Sequence, residues 1–255
     1  MKAAFQFKVL LLGATMVAIP ALANLNPYRD VLWVALQGCL LTNKTTGRAF
    51  PCLAVDLGDK ERPGTAVLRA PGQPTHTVVM PTAPVAGLEA PQLQQAAGNV
   101  YWKAALAARS YVLSALGGRL PVEQIGVAVN AENGRTQDQL HIHLDCIKPT
   151  VEAALRRYAP HLRATWTAFA VRLEWSYFMA RRIDAAEVDS FNPFAALMQL
   201  PGRNPDLRTT SFAVFAASPD DPNKGYYMLA YQAPKAHAEM LLDHGCATAP
   251  APTPR

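Results

Sequence analysis

Residues 130–146 read NAENGRTQDQLHIHLDC. An apolar run at 125–130 leads into this stretch and another, at 139–147, leads out of it, with a polar turn between them. Two such runs joined by a turn predict a β-hairpin. Strand side chains alternate between faces, so Gln139, His141, His143 and Asp145 share one face. Leu140, Ile142, Leu144 and Cys146 share the other, which is apolar and is expected to face a core. A row of titratable groups beside a loop carrying Gly134 and Arg135 points to phosphate chemistry.

The composition sets the frame for this row. The chain has 255 residues, 50% hydrophobic and 17% charged. That suffices for one large domain or two small ones with a proper core, and it is not a disordered composition. The formal net charge of +5 carries no run of five or more like charges. Weak basicity suits anionic partners such as phosphorylated small molecules and acidic lipid head groups. Nucleic acid is not expected, because no Lys/Arg stripe with interleaved aromatics is present.

Lys2 and Lys8 precede an apolar run at 9–23 that ends in Ala21-Leu22-Ala23, an A-x-A cleavage pattern. The run is shorter than the about 20 residues of a spanning helix, so a cleaved secretory signal is favoured over an uncleaved anchor. Either way the folded part is expected outside the cytoplasm, on the periplasmic side of the inner membrane. Cys39, Cys52, Cys146 and Cys246 then lie in an oxidising compartment, and their even number reads as disulfides. Cys39–Cys52 closes a short loop and is the favoured pair, which leaves Cys146–Cys246. No C-x-x-C pair is present, which disfavours a thiolate zinc site.

Outward from the hairpin, Asp30 can cap a helix through Leu40. Strand-like runs follow at 53–57, 66–69 and 75–80, the last two flanking a Pro71-Gly72 turn. Residues 93–116 carry the longest helical pattern and end at Gly117-Gly118. Downstream, Thr150 can cap a helix to about Tyr158. Strands are expected at 165–174, 177–183, 212–217 and 225–231, and short helices at 184–188, 193–200 and 236–243. There is no internal repeat and no long linker. The expected fold class is α+β, one domain over 24–246 with an antiparallel sheet and packed helices, and a Pro/Ala tail at 247–255 read as disordered.

Three kinds of chemistry fit the row. Two histidines at strand spacing with Asp145 can bind zinc, although a single short row shows little convergence. Two histidines can also simply be satisfied on a half-buried face. The third is nucleophilic catalysis at phosphorus: a neutral imidazole nitrogen attacks an activated phosphate, and water cleaves the phosphoramidate. That needs a partner fixing the tautomer and donors for the phosphoryl oxygens. Gln137, the other histidine and turn N–H groups around Gly134 are candidates.

The string Asn130-x6-Gln137-x3-His141-Ile142-His143 resembles the histidine-triad superfamily of nucleotidyl hydrolases and transferases. The longer string from Gly134 through Cys146-Ile147-Lys148-Pro149 is similar to the CDP-diacylglycerol pyrophosphatase family. So are the N-terminal apolar segment, the four cysteines, Val79-Met80-Pro81-Thr82, Ala180-Arg181-Arg182 and Pro193-Phe194. The resemblance covers essentially the whole exported chain.

This resemblance implies a histidine-triad-like fold and hydrolysis of CDP-diacylglycerol to CMP and phosphatidate through a nucleotidyl-histidine, with no cofactor and no metal. It implies a membrane-surface setting. Anchored on Asn130 and Gln137, it places the nucleophile at His143 and an orienting histidine at His141. A register counting Gln139, His141 and His143 would make His141 the nucleophile and is the less favoured. Asp145 departs from the pattern, standing where most triad proteins have a third histidine. Asn130, Arg135, Gln137, Gln139, Asp145, Arg181 and Arg182 are the substrate-binding candidates, with the arginines, and Lys148 as a weaker one, facing phosphates. The apolar surfaces at 93–116 and 166–177 are possible acyl-chain seats. Two other readings are a broader nucleotidyl hydrolase or transferase, and an envelope protein that binds nucleotide or lipid without catalysis.

Overall fold

A computed structural model of the chain describes residues 26, 28–202, 205–222 and 224–251. The apolar run at 9–23, with the signal or anchor expected there, and residues 252–255 lie outside the described residues. Of the tail, Ala249 packs against the core and the Pro250 carbonyl accepts from Arg119. Among the described residues no helix is long and apolar enough to cross a membrane.

The fold is α+β. Ten strands form one antiparallel sheet in the order β1 (Ala54–Asp56), β2 (Thr65–Arg69), β3 (Thr77–Pro81), β5 (Ile142–Ile147), β4 (Ile125–Val129), β8 (Thr210–Ala216), β9 (Tyr226–Gln232), β7 (Met179–Ile183), β6 (Thr167–Ala168), with β10 (Leu242–Asp243) pairing β5. The helices are α1 (Val31–Thr46), α2 (Ala96–Ala115), α3 (Pro149–Tyr158) and the short α4 (Pro193–Ala196).

Strand β5 lies at the middle of the site-bearing half. One edge pairs β4 in the register Ala128↔His143 and Gly126↔Asp145. The other edge is shared: β3 pairs its first half through Val78↔His143, and β10 pairs its end through Asp243↔Cys146. The two incoming strands therefore abut opposite Asp145. His76, just before β3, and His244, just after β10, meet there with ring centroids 4.1 Å apart.

The alternation of β5 sorts its faces as expected from the sequence. Leu140, Ile142, Leu144 and Cys146 join the main core with Tyr101, Trp102, Ala105 and Val112 of α2. Burying side chains of this size contributes about 1.5–3 kcal/mol each, so this face fixes the register of the strand. It also occupies the apolar stripe of α2, which is therefore closed as an acyl-chain seat.

The opposite face of the sheet is covered in two pieces. At one end α1 packs Leu36 and Cys39 over Ala66, Leu68, Val78 and Met80. The Cys39–Cys52 disulfide ties that helix down, and Gly47, at φ 71°, ends it in the left-handed conformation that favours glycine. At the other end α3 and the 238–242 segment pack over Phe215, Tyr227 and Leu229. Between the two covers the sheet face lies open as a groove.

Most element boundaries shift by a few residues from those read in the sequence. The larger difference is at 165–174, where only Thr167–Ala168 is strand. There Leu173 and Ser176 bridge across a tight turn, and Glu174 and Trp175 take φ of 45° and 69°, two successive residues outside the extended region of a strand. The β-like run ends in that turn.

Candidate active site

The groove encloses about 340 Å³. Val31, Leu32, Leu68 and Val78 form its apolar wall, and His76, Asn130, His141, His143 and Glu239 its polar floor. Four of the chain's six histidines gather here: His76, His141, His143 and His244.

Their tautomers follow from the hydrogen bonds. The ring Nδ1 of His76 meets the side-chain oxygen of Gln73, so that nitrogen carries the proton and Nε2 is left as an acceptor. His143 Nδ1 lies 2.9 Å from that acceptor and 3.1 Å from Glu239 Oε1. Two acceptors converge on one nitrogen, so the His143 proton sits on Nδ1. The lone pair of His143 is then on Nε2, where the Asn130 amide approaches to 3.3 Å. The same amide donates to Glu239 Oε2 at 2.8 Å, and the Glu239 backbone N–H donates to Asn130 Oδ1 at 3.2 Å. Asn130 and Glu239 thus clamp each other around the ring of His143.

His141 differs in function of place. Its Nδ1–H donates to the Gln139 carbonyl at 2.7 Å, which leaves Nε2 as an acceptor, and its ring stands edge-on to His143 at 4.7 Å. Asp145 is fully buried and does not line the groove; it accepts from His244 Nδ1 at 2.8 Å. His244 Nε2 in turn lies 3.2 Å from Glu239 Oε1. The Cys146–Cys246 disulfide, beside Asp145 and two residues beyond His244, staples this segment to β5.

Electrostatics separate His76 and His141 from His244. Burial, with His143 and His244 as neighbours, lowers the pKa of His76 to about 3. Burial, followed by His143, does the same to His141, again to about 3. Hydrogen bonds to Asp145 and Glu239 instead raise His244 to about 9. Burial pushes the Glu239 carboxyl upward, but the hydrogen bonds from His143 and His244 outweigh it and hold Glu239 well below the usual carboxylate range. At neutral pH His76 and His141 are therefore neutral, His244 is an imidazolium and Glu239 is a carboxylate.

The other candidates read in the sequence stand around this centre. Gln137 lines the groove, but its oxygen accepts from Leu32 N at 2.9 Å and its amide donates to the Tyr28 carbonyl, so it seats the start of α1. Gln139 is buried and clamps the 81–85 loop through the Pro81 and Ala83 carbonyls and Val85 N. Arg135 is buried in a bidentate pair with Glu89 at 2.7 and 3.0 Å. The N–H groups of Gly134 and Arg135 both donate to the Ala131 carbonyl inside the turn. A Cβ on Gly134 would come within 2.0 Å of the Ala236 carbonyl, so the turn packs directly on the C-terminal segment.

Arg181 and Arg182 are not brought to the groove. They lie on β7, four strands from β5, a separation of about 19 Å. Arg181 stacks over Trp166 and Phe191, and Arg182 pairs with Asp184 at 2.6 Å. Lys148 pairs with Glu174 at 2.8 Å. Trp175 and Tyr177, in the other proposed acyl seat, are exposed.

Sequence reasoning missed His76, Glu239 and His244, together with Gln73 behind His76. One signal was available. The pairing of Cys146 with Cys246 brings the segment around residue 244 to the end of the histidine strand, and the parity of the 75–80 run puts His76 on the same side as Val78.

Comparison with known proteins identifies a family. A family model described as CDP-diacylglycerol pyrophosphatase matches residues 27–250. A CDP-diacylglycerol pyrophosphatase of Yersinia pestis is 32% identical over 228 residues, covering 87% of this chain and 85% of that protein. A probable CDP-diacylglycerol pyrophosphatase of Mycobacterium leprae (strain TN) is 32% identical over 248 residues, covering 94% and 90%. One of Mycobacterium tuberculosis (strain ATCC 25177 / H37Ra) is 31% identical over 236 residues, covering 90% and 88%.

Proposed function

The chain belongs to the CDP-diacylglycerol pyrophosphatase family, and on that premise we propose that it hydrolyses CDP-diacylglycerol to CMP and phosphatidate through a nucleotidyl intermediate on His143. The observation that carries the mechanism is the clamp of Glu239 and Asn130 on the two ring nitrogens of His143. Glu239 and His76 hold the proton on Nδ1, so Nε2 has the lone pair a nucleophile needs.

In the first step His143 Nε2 attacks the cytidylyl phosphorus. A P–N bond forms, the anhydride P–O bond breaks, and its electron pair leaves on the phosphatidate oxygen. The imidazole gains positive charge, which the Glu239 carboxylate offsets at 3.1 Å. In the second step water attacks phosphorus: a P–O bond forms as one water proton passes to solvent, the P–N bond breaks with its electron pair returning to Nε2, and CMP departs with the imidazole restored to neutrality. His141 presents its Nε2 as an acceptor to the groove, suited to a hydroxyl donor of the nucleotide or to the attacking water.

The apolar wall supports a lipid substrate. It continues onto the outer surface of α1, where Val31, Val34 and Leu41 are more than half exposed. No charged side chain lies between Asp30 and Lys44 on that helix. This surface, the two disulfides and the 9–23 apolar run together support an exported enzyme at the periplasmic membrane surface, with its histidine-triad-like domain over 24–246. The functional test compares CMP release from CDP-diacylglycerol in mixed micelles with nucleotide release from CDP-choline and ADP-ribose. The expected result is strong preference for the lipid; equal turnover of the soluble compounds would favour a broader nucleotidyl hydrolase.

A further inference from the structure

We infer that His76, His143 and Glu239 form a zinc site that excludes the nucleophilic state of His143. The three ligand atoms, His76 Nε2, His143 Nδ1 and Glu239 Oε1, lie 2.9, 3.1 and 3.5 Å from one another. Ligands of a tetrahedral zinc with bonds of about 2.0–2.1 Å stand about 3.3 Å apart. A Zn²⁺ ion thus fits over the triangle with adjustments of a few tenths of an ångström, and water from the groove supplies a fourth ligand. Two imidazoles and a carboxylate suit zinc, whereas Mg²⁺ calls for an octahedral oxygen set. The outer nitrogen of His76 is already held by Gln73, the kind of outer support that orients a metal-bound imidazole. All four cysteines are in disulfides and do not compete for the ion.

The exclusion follows from proton count. A neutral imidazole has one proton. When Nδ1 of His143 donates its lone pair to zinc, that proton moves to Nε2, and Nε2 can no longer attack phosphorus. Without zinc, Glu239 and His76 accept the Nδ1 proton and the lone pair stays on Nε2, facing the Asn130 amide at 3.3 Å. Zinc is therefore an inhibitor that acts on the resting enzyme. This inhibitory half rests on the reading of His143 as nucleophile; the coordination half does not.

The test is a calorimetric titration of ZnCl₂ into the full chain, made without a histidine tag and stripped with EDTA. One Zn²⁺ per chain is expected, with His76→Ala and Glu239→Gln each weakening binding at least as much as loss of an outer-shell partner does, on the order of tenfold or more. His161→Ala, remote from the groove, serves as the binding control and should match wild type. In parallel, stoichiometric Zn²⁺ should suppress CMP release and EDTA restore it, while the same concentration of Mg²⁺ does neither. No zinc binding, or equal binding by the two variants and wild type, overturns the site. Zinc held by these residues with CMP release unchanged overturns the exclusion. Absence of CMP release in EDTA would instead count against the proposed activity, which the titration does not depend on.

Discussion

The carboxylate of Glu239 meets the imidazole of His143 at 3.1 Å across a sequence distance of almost a hundred residues, and its second oxygen takes the Asn130 amide at 2.8 Å. One side chain from a short C-terminal turn thereby sets which nitrogen of His143 is protonated. Glu239→Gln keeps the shape but removes the charge, and lets the amide donate to Nδ1 and fix the wrong tautomer. The expected outcome is a fall in kcat of about 10²–10⁴-fold, with KM for CDP-diacylglycerol little changed and the circular dichroism spectrum that of wild type.

Stability should have a maximum near neutral pH, with separate causes on its two sides. His76 and His141 are lowered to about 3 in the folded protein, so between pH about 6.5 and 3 the unfolded chain binds protons that the folded chain does not. Glu239, held below its usual value, acts in the same direction at the lower end of that window. Stability is lost as the pH falls. His244 is raised to about 9, so its contribution is complete below about 6.5 and is lost as the pH rises through 9. Thermal melts across pH 3–10 should show both flanks. His76→Gln should reduce the acid slope, and His244→Ala should abolish the alkaline slope while also weakening the part of the acid slope that Glu239 contributes.

The two disulfides should differ in their effect on activity. Cys146–Cys246 closes a loop of 100 residues and Cys39–Cys52 one of 13, for which chain entropy gives roughly 4.7 and 3 kcal/mol. The long bridge also fixes the segment bearing Glu239 and His244. Replacing Cys146 and Cys246 by alanine should therefore lower kcat more than the loss of stability explains. The Cys39/Cys52 double variant, which loosens α1, should raise KM for the lipid instead. Steady-state kinetics of both variants, well below their melting temperatures, distinguish the two outcomes.

Arg135 is expected to act on the scaffold. Its guanidinium is buried against Glu89 with two short hydrogen bonds, and breaking such a pair costs about 3–5 kcal/mol. Arg135→Gln should lower the unfolding free energy by that order while KM for CDP-diacylglycerol in the remaining folded protein stays near wild type. A selective rise in KM without loss of stability would return Arg135 to phosphate binding.

Much of the architecture was legible because it rests on local periodicity. The two-residue period of 139–147 placed the histidines on one face and Leu140, Ile142, Leu144 and Cys146 on the other, and both faces stand as read. The α+β class and the antiparallel sheet followed from the spacing of short runs. The groups that complete the site were not legible, because they converge from two segments distant from the hairpin: His76 lies 67 residues before His143, and His244 lies 99 after Asp145. Nothing local marks them; only the sharing of one edge of β5 by β3 and β10 brings them together. Arg181 and Arg182 illustrate the converse, since a local Arg-Arg pair among aromatic residues carries no information about which strand of the sheet it will occupy.

The central claim is that His143 becomes covalently nucleotidylated. The direct measurement is mass spectrometry of enzyme mixed with CDP-diacylglycerol and quenched in alkaline denaturant, where a phosphoramidate survives. After reduction of the disulfide and tryptic digestion, the peptide 136–156 contains both His141 and His143, and fragmentation separates them. The account predicts one cytidylyl group on His143 Nε2, absent in Glu239→Gln quenched at the same time point. A cytidylyl group on His141, or none on either histidine while CMP is being released, would contradict it.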